Sequence, residues 1–202
     1  MSKKNIYIEV GVCDLSYNTK KFYEEHKNEQ WDYYLFEPNY VSFEAIVKQN
    51  KTLQIPNITI IKKAVWDKNC KKKFWVGTRL DRLGNHRARG GSSLLFGKKY
   101  LGTETKKIKC IDFDKWIRKN FSKKDYIHLR MDIEGAEYKV LSKMIEKKSI
   151  NYINCISVEF HAHKFQNENR KKLEIMHKKI KKFFSNCKNI KIEALESIER
   201  VK

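Results

Sequence analysis

Two prolines in 202 residues leave the chain few forced breaks. Glycine is scarce too: there are eight, and six of them fall between Gly77 and Gly102. Most of the chain therefore reads as folded elements, and that one segment as something different in kind. The five cysteines are Cys13, Cys70, Cys110, Cys155 and Cys187, an odd number with no pair at CxxC spacing. That argues against a disulfide framework or a zinc cluster, and for a reducing compartment, the cytoplasm. Cys110 and Cys155 lie in apolar runs and read as small core residues. No secretory leader is expected, because MSKKN passes straight into a strand pattern. No apolar run approaches the roughly 20 residues that a membrane-spanning helix needs, so no membrane span is expected.

Acidic residues are outnumbered, 24 against 44 basic ones, for a formal net charge of +20. Only 8 of the basic residues are Arg; the other 36 are Lys. Lys, Asn and Ile share AT-rich codons, so biased base composition is one source of that charge. Scattered Lys confers solubility and a general attraction to polyanions, not a site. The length suits one domain, 1–202, with a sizeable core, and 41% of the residues are hydrophobic.

What is present is an alternation of short apolar runs and helical patterns. Strands are expected at Ile6–Val10, Tyr33–Phe36, Ile58–Val65, Lys72–Val76, Lys106–Cys110, Tyr126–Met131 and Tyr152–Glu159, with closing strands within Ile190–Val201. Helical spacing marks Thr19–Asn28, Val41–Asn50, Phe113–Asn120, the stretch after Glu137, and Phe165–Phe184. Such alternation implies right-handed crossovers: an α/β fold, doubly wound, with a mostly parallel sheet and helices on both faces. Ligands of such sheets bind outside the carboxyl ends of the strands, where strand order reverses. The expected strand ends are Glu9-Val10-Gly11, Glu37-Pro38, Ala64-Val65-Trp66-Asp67, Asp132-Ile133-Glu134 and Glu159-Phe160-His161.

Gly11 permits close backbone approach to a ligand, with Asp14 and Ser16 just beyond it. The GxGxxG pattern is not met, because positions 13 and 15 are Cys13 and Leu15, so a dinucleotide pyrophosphate fits poorly. A ligand with an amino-acid moiety fits better. Glu37 is placed to accept hydrogen bonds from a ribose diol. Gly77–Gly102, with Arg79, Arg82, Arg87 and Arg89, is long enough to be a lid or a substrate-side loop.

Together, LFEPN at Leu35–Asn39, KKAVWD at Lys62–Asp67, RMDIEGAEYKVL at Arg130–Leu141 and SVEFH at Ser157–His161 resemble the FkbM-type family of S-adenosylmethionine-dependent methyltransferases. The resemblance spans about Ile6 to His161, including Gly91-Ser92-Ser93 and Ile108–Trp116. It departs at the first loop, where the family's Asp-x-Gly-Ala-Asn-x-Gly reads Glu9-Val10-Gly11-Val12-Cys13-Asp14-Leu15. It implies a Rossmann-like fold and S-adenosylmethionine as cofactor. Glu9, Gly11, Asp14 and Ser16 would serve the methionine end, Glu37 and Pro38 the ribose, and Ala64 and Val65 the adenine.

The expected reaction is O-methylation of a sugar or glycan hydroxyl, which needs a general base, a metal, or both. Asp132, Glu159 and His161 are the catalytic candidates. His161 could act as base with Asp132 or Glu159 orienting it, or the three could hold Mg or Mn. Arg89, Ser92, Ser93 and Glu134 are the substrate-side candidates. Two other readings stay open. One is an RNA ribose O-methyltransferase, which the charge favours, although Arg130 stands where a Lys of the Lys-Asp-Lys-Glu set is wanted. The other is a non-catalytic nucleic-acid-binding module, against which the aromatics of Phe165–Phe184 fall at core spacing.

Overall fold

The apolar runs assemble much as their order requires. The computed structural model describes residues 3–78 and 90–196. Its main sheet has six strands: β1 (Asn5–Val10), β2 (Trp31–Phe36), β3 (Ile58–Ile61), β7 (Tyr126–Met131), β8 (Cys155–Glu159) and β9 (Lys191–Glu196). They lie in the order β3-β2-β1-β7-β8-β9, and every neighbouring pair is parallel. Parallel strands need crossovers, and five helices supply them: α1 (Asn18–His26), α2 (Tyr40–Leu53), α3 (Phe113–Asn120), α4 (Glu137–Glu146) and α5 (Asn167–Ser185).

Side chains alternate between the two faces. Tyr7, Tyr33 and Leu35 pack against Phe22 of α1 and Ile46 of α2. Ile6, Ile8, Leu129, Met131 and Val158 pack on the other face with Ile117, Leu141 and Ile180 of α3, α4 and α5. Both faces of the central strands are thus covered, which is why these runs read as continuously apolar. The helix starts are chemically marked. Asn39 caps α2 by accepting from the Val41 amide at 3.1 Å, and Asp112 caps α3 by accepting from the Lys115 amide at 3.2 Å.

The continuous strand expected over Ile58–Val65 is divided. The Lys63 amide donates to the Ile61 carbonyl at 2.9 Å, a three-residue turn that takes the chain out of the main sheet. It then enters a second sheet of β4 (Ala64–Trp66), β5 (Cys70–Gly77) and β6 (Leu101–Asp112), in the order β4-β6-β5. β5 and β6 are antiparallel, so the segment Gly77–Gly102 is the long connection of a hairpin. Residues 79–89 of it, with Arg79, Arg82, Arg87 and Arg89, lie outside the described residues, as do 197–202 of the closing segment.

Candidate active site

Strand order reverses at β1, whose neighbours are β2 and β7. Gly11 ends β1 with φ +85°, and its amide donates to the Phe36 carbonyl at 2.9 Å. A Cβ at Gly11 would lie 1.8 Å from the Asp132 carbonyl oxygen, so only glycine allows the ends of β1 and β7 to meet. Cys13 follows with φ 54°, a left-handed conformation that glycine adopts far more readily. The loop can therefore take a glycine-type bend at position 13 although the sequence puts Cys there.

Glu37, at the end of β2, is buried, with Oε2 accepting from the Cys13 amide at 3.0 Å and Oε1 from the Asn39 amide at 2.7 Å. Those two donors fix the carboxylate's orientation and leave each oxygen capacity for another donor. Burial pushes its pKa up to about 7, and the two amides only partly offset that. Gly11, Glu37, Pro38, Ala64, Val65, Ser92, Asp132 and Glu134 line one pocket, together with Cys13, Phe36, Phe74 and Leu94. Its walls come from both sheets.

Behind Asp132 lies a cluster of charge. His161 is fully buried, with Nε2 3.1 Å from Glu159 Oε1, 3.4 Å from Asp132 Oδ1 and 3.7 Å from Glu134 Oε2. Its Nδ1 is 3.5 Å from Glu137 Oε1, long for a hydrogen bond but close for charge attraction. Burial works against the imidazolium, but Glu137, Glu159 and Glu134 together raise its pKa to about 10. The Asp132 pKa is raised too, but by burial itself. Burial lifts its pKa to about 7; His161 opposes this, and Glu159 and Glu134 add to it. Some 34% of its side chain is open, but into a narrow pocket lined by protein, so desolvation still dominates. Asp132 Oδ1 is buried without a hydrogen-bond partner.

Glu134 has φ 54°, a second left-handed non-glycine residue. Burial would raise its pKa, but His161, Lys98 and Lys164 hold it down at about 2. Lys98 and Lys164 each place Nζ 3.0 Å from Glu134 Oε2. Glu137 is fully buried and opens α4, accepting from the Gly135 amide at 2.8 Å and the His161 amide at 2.9 Å. It holds the loop after β7 to the end of β8.

The other expected site residues sit around this centre. Glu9 is buried beneath the first loop and does not line the pocket. It accepts from Asn18 Nδ2 at 3.1 Å, Tyr7 Oη at 3.1 Å and the Thr19 hydroxyl, and so ties β1 to the start of α1. Asp14 Oδ1 accepts from the Ser16 amide at 2.8 Å and Gln49 Nε2 at 2.9 Å; neither Asp14 nor Ser16 lines the pocket. Ser92 lines it, with Oγ accepting from the Gly77 amide at 3.0 Å. Ser93 is buried, bridges to Trp75, and donates through Oγ to the Glu134 carbonyl at 2.7 Å. Arg89 lies outside the described residues. Glu159 and His161 stand behind Asp132 and do not line the pocket themselves. Lys98, Lys164, Phe74 and Leu94 were not signalled by the sequence: each arrives from a distant segment with no local motif.

The Methyltransferase FkbM domain family matches residues 9–190. The chain belongs to this FkbM methyltransferase family. No curated protein and no solved structure gives a significant match. Family and fold agree: the FkbM match runs from the end of β1 to just before β9, so it takes in the second sheet, most of the main one and every residue of the pocket described above. Being an FkbM protein makes the chain a methyltransferase, and methyltransferases in general draw on S-adenosylmethionine. Among the described helices, none is long and apolar enough to cross a membrane.

For a divalent ion the FkbM site offers mixed terms. Asp132, Glu134 and His161 bring ligand atoms within 4.8 Å of one another, and Glu159 lies beside His161. Yet three cations, the His161 imidazolium, Lys98 and Lys164, already answer these carboxylates. An ion would have to release the His161 proton to solvent and displace two ammonium groups from Glu134, so the residues present fit a divalent metal poorly.

Proposed function

We propose that this chain is an S-adenosylmethionine-dependent O-methyltransferase acting on a hydroxyl of a sugar or glycan. The observation that carries this reading is the shared pocket, which Glu37 and Asp132 face from the strands on either side of β1. Its shape suits the cofactor: Gly11 and Cys13 give a close backbone wall, Glu37 an oriented acceptor for the ribose diol, and Ala64, Val65 and Phe74 an apolar face for adenine. When bound, S-adenosylmethionine supplies an activated methyl group on a sulfonium.

The chain's own residues then align the acceptor and take its proton. Asp132 is the base in this reading, because its pKa of about 7 matches neutral pH and it is open to the pocket. His161, protonated and fully buried, is a positioning residue: it faces Oδ1 of Asp132 and leaves Oδ2 to the acceptor. Glu134, held by two lysines, fixes the loop beside the acceptor and supplies negative charge opposite a sulfonium. Ser92 and the residues 90–91 form the acceptor-side wall.

Calorimetry with S-adenosylmethionine tests the cofactor half. Glu37→Ala should weaken binding by about tenfold or more, since a hydrogen bond to a charged partner is lost; unchanged affinity sinks the ribose role. A ribose diol donates to the charged carboxylate, so affinity should fall as pH drops through about 7, and Glu37→Gln should flatten that profile. Transfer of a labelled methyl group to a panel of sugars, glycans and RNA tests the acceptor. One observation favours the RNA ribose reading as second: Lys98 and Lys164 reach the acid cluster and supply basic members that Arg130 does not. Label appearing only in RNA ribose would move the assignment there.

A further inference from the structure

His128, Cys155 and Glu193 come together away from the pocket. They belong to three neighbouring strands, β7, β8 and β9. Register pairs His128 with Cys155 and Cys155 with Lys191, and the register then shifts between Ile156 and Ser157, leaving Glu193 as the extra residue of β9 beside them. One ligand atom from each lies within 4.8 Å of the other two. His128 Nε2 stands 3.2 Å from Glu193 Oε2. Two ligands bonded to a tetrahedral zinc ion at about 2.0 Å stand about 3.3 Å apart, so this pair is already at ligand spacing. Cys155 and His128 are buried, and Glu193 closes the group from the solvent side. His128 precedes Asp132 by four residues along β7, about 13 Å at about 3.3 Å per residue, so the group has no part in methyl transfer.

We propose that His128, Cys155 and Glu193 form a zinc site, with water in the fourth position, that fastens β9 to the main sheet. The donor set is chemically apt: thiolate, imidazole and carboxylate are the usual ligands of zinc, and the soft thiolate disfavours magnesium and calcium. Binding replaces the Cys155 S–H bond with a Zn–S bond and releases that proton to solvent. Burial raises the free thiol to about 12, so the ion must displace the proton, and affinity rises with pH. Burial also holds His128 below the usual imidazole range, against the pull of Glu193, which keeps its lone pair available. Lys191 Nζ lies 3.4 Å from Glu193 Oε1 and competes for it, but its side chain is exposed and free to swing away.

Cobalt(II) is the direct probe, because a cobalt–thiolate bond gives a near-ultraviolet charge-transfer band. The reduced full chain should show that band on cobalt titration and lose it when zinc is added. Cys155→Ser should abolish the band, whereas Cys13→Ser, the thiol beside the methyl-transfer pocket, should keep it. Glu193→Gln, at a part-exposed position, should weaken metal affinity by about tenfold or more without unfolding the chain. Zinc at a hundredfold excess over its dissociation constant should raise Tm by about 5–10 °C in the native chain and not in Glu193→Gln. No band in the native chain, a band that survives Cys155→Ser, or an equal Tm shift in Glu193→Gln would overturn the site.

Discussion

A buried carboxylate oxygen with no hydrogen-bond partner destabilises the fold that holds it, and Asp132 carries one. Its folded pKa, about 7, lies above the roughly 4 of an unfolded aspartate. The unfolded chain therefore releases this proton first, and the group lowers stability as pH rises through 7. Asp132→Asn should raise stability at pH 8 by about 1–2 kcal/mol, a figure discounted because a third of the side chain is open. The gain should shrink toward zero as pH falls to about 4, and urea unfolding across pH checks it. The same change should lower the methyl-transfer rate by about 10²–10⁴-fold. Gly11→Ala acts by shape: it combines φ +85° with a Cβ 1.8 Å from the Asp132 carbonyl. It should destabilise by about 2–5 kcal/mol, read as a lower urea midpoint. Glu37 and Asp132 were legible in the sequence because each ends an apolar run. Lys98 and Lys164 were not, since only folding brings them, from 36 and 30 residues away along the chain, to Glu134.

At the scale of elements, Glu137 ties the turn between β7 and α4 to the end of β8. Glu137 accepts one amide from its own loop and one from the end of β8. Glu137→Gln keeps one acceptor and turns the other into a donor facing an N–H, which should cost about 1–3 kcal/mol. Glu146→Gln, exposed at the other end of α4, should stay within about 0.5 kcal/mol, and paired urea melts make the comparison. α3 was legible to its ends because its cap, Asp112, and its apolar spacing agree. The break after Ile61 was not. Ile58–Ile61 and Ala64–Trp66 are both apolar, and apolar pattern alone does not say that consecutive strands join different sheets. Glu9 illustrates the same limit: its place at a strand end resembled that of Glu37, but its neighbours are Thr19, Asn18 and Tyr7.

For the molecule as a whole, a formal charge of +20 on 202 residues sets the long-range field. Much of it sits on exposed helix surface: α5 alone carries Lys171, Lys172, Lys178, Lys179, Lys181 and Lys182. Repulsion among these charges weakens the folded state and is screened within about 10 Å at 0.1 M salt. Tm should therefore rise by a few degrees between about 20 mM and 200 mM NaCl, reversing the loss expected of a protein held by surface ion pairs. Scanning calorimetry at several salt concentrations tests it. The doubly wound architecture was legible at this scale because crossover rules leave few arrangements of alternating strands and helices. The second sheet was not, because its partner strands β4 and β6 are separated by the long hairpin connection.

The two amides that Glu37 holds, those of Cys13 and Asn39, sit in turns where backbone protons ordinarily trade with water quickly. Each should exchange more slowly than its neighbours, and more slowly still once a ligand closes over the carboxylate. Deuterium uptake at these two positions would then report occupancy of the pocket without any turnover, on a clock of minutes to hours.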